Sequence, residues 1–247
     1  MAIHYQGFRE GLYVEHLEEA AFQYETRLTW LHDEEIGWQD LADIDQSLES
    51  HIDALVLGEN LGLKVCLEAM EEAEASTLHI IVRVFCRHRL VDRLSLLWAK
   101  FDFDDVEKVA AVGDALKWEC PAEWLPKLLQ AFSGNKPDVF PVFSPTIAQL
   151  SRGSGDVLVA ALAATNTEHL PIVLEAIGRC DRSHSKAVSN ALPPFVQHQD
   201  KSVAASALKT LVIKGQAGAL AKNTHLLGDV PMVFALAGGL KESRALI

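Results

Sequence analysis

Apolar positions along this chain recur at intervals of three and four residues, not two. Leu12, Leu17, Ala20, Ala21, Tyr24, Leu28 and Leu31 keep that spacing and predict a first long helix. Trp38 to Leu57 is more regular: Leu41, Ile44, Leu48, Ile52 and Leu55 form one stripe, while Asp45, Glu49 and Asp53 recur every four residues on another face. Asn60 reads as an N-cap for a helix over 61–73. Helices are predicted next over 76–88 and 91–100, then over 104–118, with Pro121 suited to the first turn of the one that follows. Residues 138–150 contain Pro141 and Pro145, which predict a turn and a short helix. Segments 156–164, 167–179, 185–196, 200–214 and 217–227 continue the series, and a last one opens at Asp229-Val230-Pro231. No stretch alternates strictly between turn dipeptides, so strands have little support.

Two ten-residue frames, one beginning at Leu170 and one at Val230, align without gaps at an offset of 60 residues. Each has proline at its second position, an apolar stripe behind it and glycine at its ninth. That offset fits two helical hairpins of about 30 residues, the scale of stacked α-solenoids. The alternative is chance likeness among short Ala/Leu-rich helices. The expected fold is all-α: a right-handed solenoid of HEAT-like hairpins, with an acidic segment over 1–75 continuous with repeats over 76–247.

Charge sharpens the picture. Residues 1–75 hold 18 acidic and 3 basic residues, and no Lys or Arg occurs between Arg27 and Lys64. Residues 76–247 hold 16 acidic and 19 basic residues, among them Arg83, Arg87, Arg89, Arg93 and Lys100. A net charge of −12 argues against a nucleic-acid partner, because phosphate attraction needs a positive surface. The longest apolar run, 157–164, is too short to cross a membrane, and the acidic start lacks the pattern of a secretory leader. Cys66, Cys86, Cys120 and Cys180 are scattered, with no CxxC pair. A cytoplasmic location with reduced, buried thiols is expected.

The segment Glu15-His-Leu-Glu-Glu-Ala-Ala-Phe22, with Arg27, Leu41-Ala-Asp-Ile-Asp45 and Leu48-Glu-Ser-His-Ile-Asp53, resembles a bacterial family of HEAT-repeat-containing proteins. That family reads E-E-A-A-F near its start and L-x-x-L/I-D-x-x-L-x-x-H-L/I-D shortly after. The likeness covers about residues 12–75. Members often occur among type VI secretion genes, so the resemblance implies handling or neutralising a secreted effector.

Signatures of catalysis are mostly missing: no HExxH, no Glu-x-x-His, no Walker A loop and no GxSxG elbow. Ser151-Arg-Gly-Ser-Gly155 reads as a linker, and His32 beside Asp33, Glu34 and Glu35 reads as a solvated loop before it reads as a metal site. Neither an enzymatic activity nor a cofactor is expected. The sharper candidates are acidic. Asp33, Glu34, Glu35, Asp40, Asp45, Glu49 and Asp53 either meet the chain's own arginines or face outward toward a basic protein partner, such as a cognate secreted toxin with nuclease activity. The leading expectation is a non-enzymatic immunity protein; the alternative is an adaptor or chaperone that loads an effector. Near the end of the sequence, Met232, Phe234 and Leu240 belong to an apolar repeat without a polar cap, which suggests self-association as a homodimer.

Overall fold

The computed structural model describes residues 2–33, 35–133, 137–151, 153–180 and 185–216. These are helical throughout, with connecting turns and no strand among them. Two compact units are present, Met1–Pro121 and Ala122–Ile247. The change of composition at residue 75 does not divide the packing, because the helix that starts there is the centre of the first unit.

That unit contains α1 (Ala2–Trp30), α2 (Trp38–Leu57), α3 (Glu59–Ala69), α4 (Ala75–Arg87), α5 (Val91–Lys100) and α6 (Val106–Glu119). α4 packs against all five others, and its residues from Leu78 to Cys86 are all buried. α1 packs along α2 and also touches α3 and α4. Leu17, Ala20 and Ala21 bury against the Ile44, Leu48, Ile52 and Leu55 stripe, and Arg27 Nε donates to Asp45 Oδ1 at 2.5 Å. His16 and His51 meet through their Nδ1 atoms at 3.0 Å. Burial, then the neighbouring His51, lowers the pKa of His16.

Gly58, not Asn60, separates α2 from α3. A Cβ on Gly62 would stand 2.1 Å from the Leu55 carbonyl oxygen, so glycine is what allows α3 to fold back this closely on α2.

The second unit contains α7 (Leu125–Ser133), α8 (Phe140–Leu150), α9 (Gly155–Leu162), α10 (Leu170–Arg179), α11 (Ser185–Ala191), α12 (Pro193–Val196) and α13 (Lys201–Ile213). α10 lies against α8, α9 and α13. Pro145 does not split α8. Its neighbours Phe140, Val142, Phe143, Ile147 and Ala148 are all buried, and that burial outweighs one interior proline, which costs about 3 kcal/mol. Pro193 and Pro194 do divide the expected 185–196 helix, into α11 and α12. Asp200 caps α13 by accepting from the Ser202 and Val203 amides. The second member of the 60-residue repeat, together with Met232, Phe234 and Leu240, lies outside the described residues, as does Glu34.

Candidate functional site

α4 is buried on every side, yet it is not apolar on every side. Ser76, His79, Arg83 and Arg87 follow helical spacing, so they form one polar stripe along the helix. Each finds a partner on a flanking helix. Ser76 Oγ donates to Glu25 Oε1 of α1 at 2.6 Å. The His79 ring stacks on Tyr24 with centroids 3.7 Å apart, and its Nδ1 donates to the Ala111 carbonyl of α6 at 3.0 Å. Arg83, only 4% exposed, donates through Nη2 to Glu49 Oε1 at 2.5 Å and to Glu119 Oε1 at 2.6 Å. Arg87 bridges Glu119, Glu49 and Asp53, its Nη1 lying 2.5 Å from Asp53 Oδ1.

Three members of the acidic stripe have partners within the chain. Asp45 meets Arg27, Glu49 meets Arg83 and Arg87, and Asp53 meets Arg87. Of the two alternatives, the ion pairs match the one in which these carboxylates meet the chain's own arginines: the nearest opposite charges belong to the chain itself. The physical reason is that α4 brings two arginines into a low-dielectric interface, where they require carboxylates. Asp33, Glu35 and Asp40 are exposed; Asp40 accepts from the Gly37 amide and so caps α2.

The electrostatics follow from burial and pairing. Burial alone would raise the pKa of Glu49 and Glu119, but hydrogen bonds from Arg83 and Arg87 outweigh it and hold both below the usual range. Burial drives His79 down to about 4, so it is a neutral ring at pH 7. Burial, followed by the charge of Asp114, pushes the Tyr24 hydroxyl well above its ordinary value. All four cysteines are buried and unbridged, and burial pushes the Cys66 and Cys120 thiols up to about 12, which makes them poor nucleophiles at neutral pH. Among the described residues no group of three or more His, Cys, Asp or Glu is placed to hold a metal ion.

Two adjoining cavities open onto the seam. The larger, about 760 Å³, lies between the end of α1, the start of α4 and one face of α6; the smaller, about 360 Å³, reaches toward α2. Both are lined by Tyr24, Arg27, Asp114 and Trp118. Leu28, Leu31 and Trp118 line the larger one while remaining 41%, 48% and 58% exposed. Leu28 and Leu31 continue the helical spacing that predicts α1, and Trp118 lies at the end of the helix predicted over 104–118, but nothing in that spacing marks the three as one surface.

Comparison with protein-family models, curated proteins and solved structures finds no match to this chain. Among the described residues, no helix is long and apolar enough to cross a membrane.

Proposed function

We propose that this chain is a non-catalytic protein-binding scaffold, a right-handed solenoid of HEAT-like hairpins that neutralises a basic secreted toxin inside the cell that makes it. One observation carries the reading. The unit Met1–Pro121 holds 25 acidic and 10 basic residues, a net of −15, whereas the chain from Ala122 onward holds 9 acidic and 12 basic residues, a net of +3. Internal ion pairs satisfy individual carboxylates, but ten cations cannot cancel 25 anions. Long-range steering depends on the net charge that remains, so the field of the unit favours a cationic partner and repels nucleic acid. The helix-on-neighbour packing supports the solenoid, and the resemblance of residues 12–75 supports the type VI secretion setting.

The test is co-expression with the product of the neighbouring gene. Growth arrested by that gene should be restored when this chain is present, and the two proteins should co-purify in a complex that weakens as salt rises. Absence of rescue defeats the immunity role. Loss of effector secretion with self-protection intact assigns the chain to effector loading instead, and turnover by the purified protein alone removes the non-catalytic reading.

A further inference from the structure

We propose that the larger cavity is a recognition groove for an amphipathic basic segment of the partner, which sets an Arg or Lys side chain among Glu25, Glu74 and Glu107 and apolar side chains on Leu28, Leu31 and Trp118. The inference rests on the reading above, that the partner is a basic protein, and specifies where on the acidic unit it is gripped.

Charge decides the occupant. Two cations line the groove, and both are committed: Arg27 to Asp45, and Lys117 to Asp114. Glu25, Glu74 and Glu107 line it too, and among the described residues no cation stands within ion-pair distance of any of them. Ser76 fixes the Glu25 carboxylate toward α4, so this charge is held in place and not merely tethered. Three uncompensated carboxylates around an apolar-walled hollow suit a cation with an aliphatic stem, the form of Arg and Lys side chains. Arg27 and Lys117 already lie over the Trp118 ring, at 5.9 and 5.5 Å from its centroid, so Trp118 contributes apolar wall to the groove and the cation is left to the carboxylates. Anionic ligands are repelled by the same rim.

The apolar wall decides that the cation arrives on a protein segment. Leu28, Leu31 and Trp118 are large side chains exposed together on one cavity, where isolated exposure would need no explanation. A volume of about 760 Å³ accommodates several side chains of one helical turn, as helix-in-groove recognition requires. A small polycation would satisfy the carboxylates and leave that wall wet.

The experiment measures fluorescence anisotropy of a labelled two-heptad Leu/Arg amphipathic peptide against the full chain at about 50 mM salt. Two variants carry the same change of net charge: Glu74→Lys with Glu107→Lys in the groove, and Glu18→Lys with Asp43→Lys outside it. Both pairs are exposed, and far-UV circular dichroism checks that each variant folds. The groove pair should weaken binding at least about tenfold, and the outer pair less than about threefold. Trp118→Ala should weaken it by about fivefold without changing net charge. Equal weakening by the two charge-reversed pairs overturns the groove, because bulk charge alone then explains binding. Equal affinity for a Ser/Arg peptide without leucine overturns it as well. Undiminished toxin rescue by the groove pair overturns the groove while leaving the immunity reading standing; failed rescue by the unaltered chain defeats that reading irrespective of the peptide result.

Discussion

The two units solve the same packing problem with different chemistry. In the second, the central helix α10 buries Leu170, Val173, Leu174, Ala176 and Ile177 against α8 and α13, and its polar contacts lie at the edges of that face: Thr210 Oγ1 donates to the Leu174 carbonyl at 2.8 Å, Lys214 Nζ donates to the carbonyl of Cys180, and Lys209 pairs with the half-exposed Glu175. In the first, the central helix α4 also buries a set of apolar side chains but runs a stripe of Ser76, His79, Arg83 and Arg87 through the middle of it. Apolar burial is non-directional, so by itself it sets no angle between α10 and its neighbours. The ion-pair seam is directional: Glu49 of α2 and Glu119 of α6 must both reach one guanidinium. Buried ion pairs contribute little net stability over an apolar equivalent. What the seam contributes is orientation, fixing α1, α2 and α6 about α4 and with them the walls of the large cavity.

Side-chain replacement of similar length breaks the comparison most sharply. Arg83→Met should cost about 3 kcal/mol, because it removes one of the two guanidiniums that Glu119 and Glu49 share and leaves Arg87 alone to compensate both. Leu174→Met, at a fully buried site in the second unit, should cost under about 1.5 kcal/mol, since volume is nearly conserved. Native-state hydrogen exchange reads the units separately, and the Arg83 effect should appear in α1, α2, α4 and α6. Equal effects of the two substitutions would mean that the seam orients nothing.

Acid should separate the units next. The folded pKa of His79 is about 4 against an unfolded value near 6.5, so the unfolded chain binds the proton first. Stability is therefore independent of this group above about pH 7, falls as pH drops from about 6.5 to about 4, and loses about 3 kcal/mol over that window. Glu49 and Glu119, depressed by their arginines, act in the same direction at lower pH: their contribution is present above the unfolded carboxylate pKa and is lost as pH falls through the folded one. Urea midpoints measured from pH 7 to pH 4 should slope downward for the first unit, and His79→Phe, which keeps a ring against Tyr24, should flatten the upper part of that slope. An unchanged slope in His79→Phe would remove His79 as its source.

Much of the fold was legible because amphipathic spacing is local. The stripe from Leu41 to Leu55 placed α2, the 91–100 segment placed α5, and Asp200 marked the start of α13. The features that escaped are set by residues far away in sequence. Pairing of Glu49 with Arg83, 34 residues on, was one of the two alternatives the charge pattern left open, whereas Glu119, 36 residues beyond Arg83, carried no signal because an isolated charge at a helix end reads as a solvent face. Leu28 and Leu31 continue the apolar stripe of α1, but no neighbouring helix covers that end completely, so they line a cavity. Pro145 breaks an isolated helix; inside α8 it is held by the buried residues around it.

The smallest expected effect sharpens what counts as a seam. Lys209 Nζ and Glu175 Oε1 lie 3.2 Å apart between α13 and α10, the same helices whose apolar faces hold the second unit together. Both side chains keep about a third or more of their surface in water, so screening leaves the pair worth only about 0.5 kcal/mol. Lys209→Ala should shift the urea midpoint barely at all, and added salt should erase the difference. A loss comparable to that of Arg83→Met would show that charge also orients α10 and α13, and the contrast between a directional core and a non-directional one would fail at the second unit.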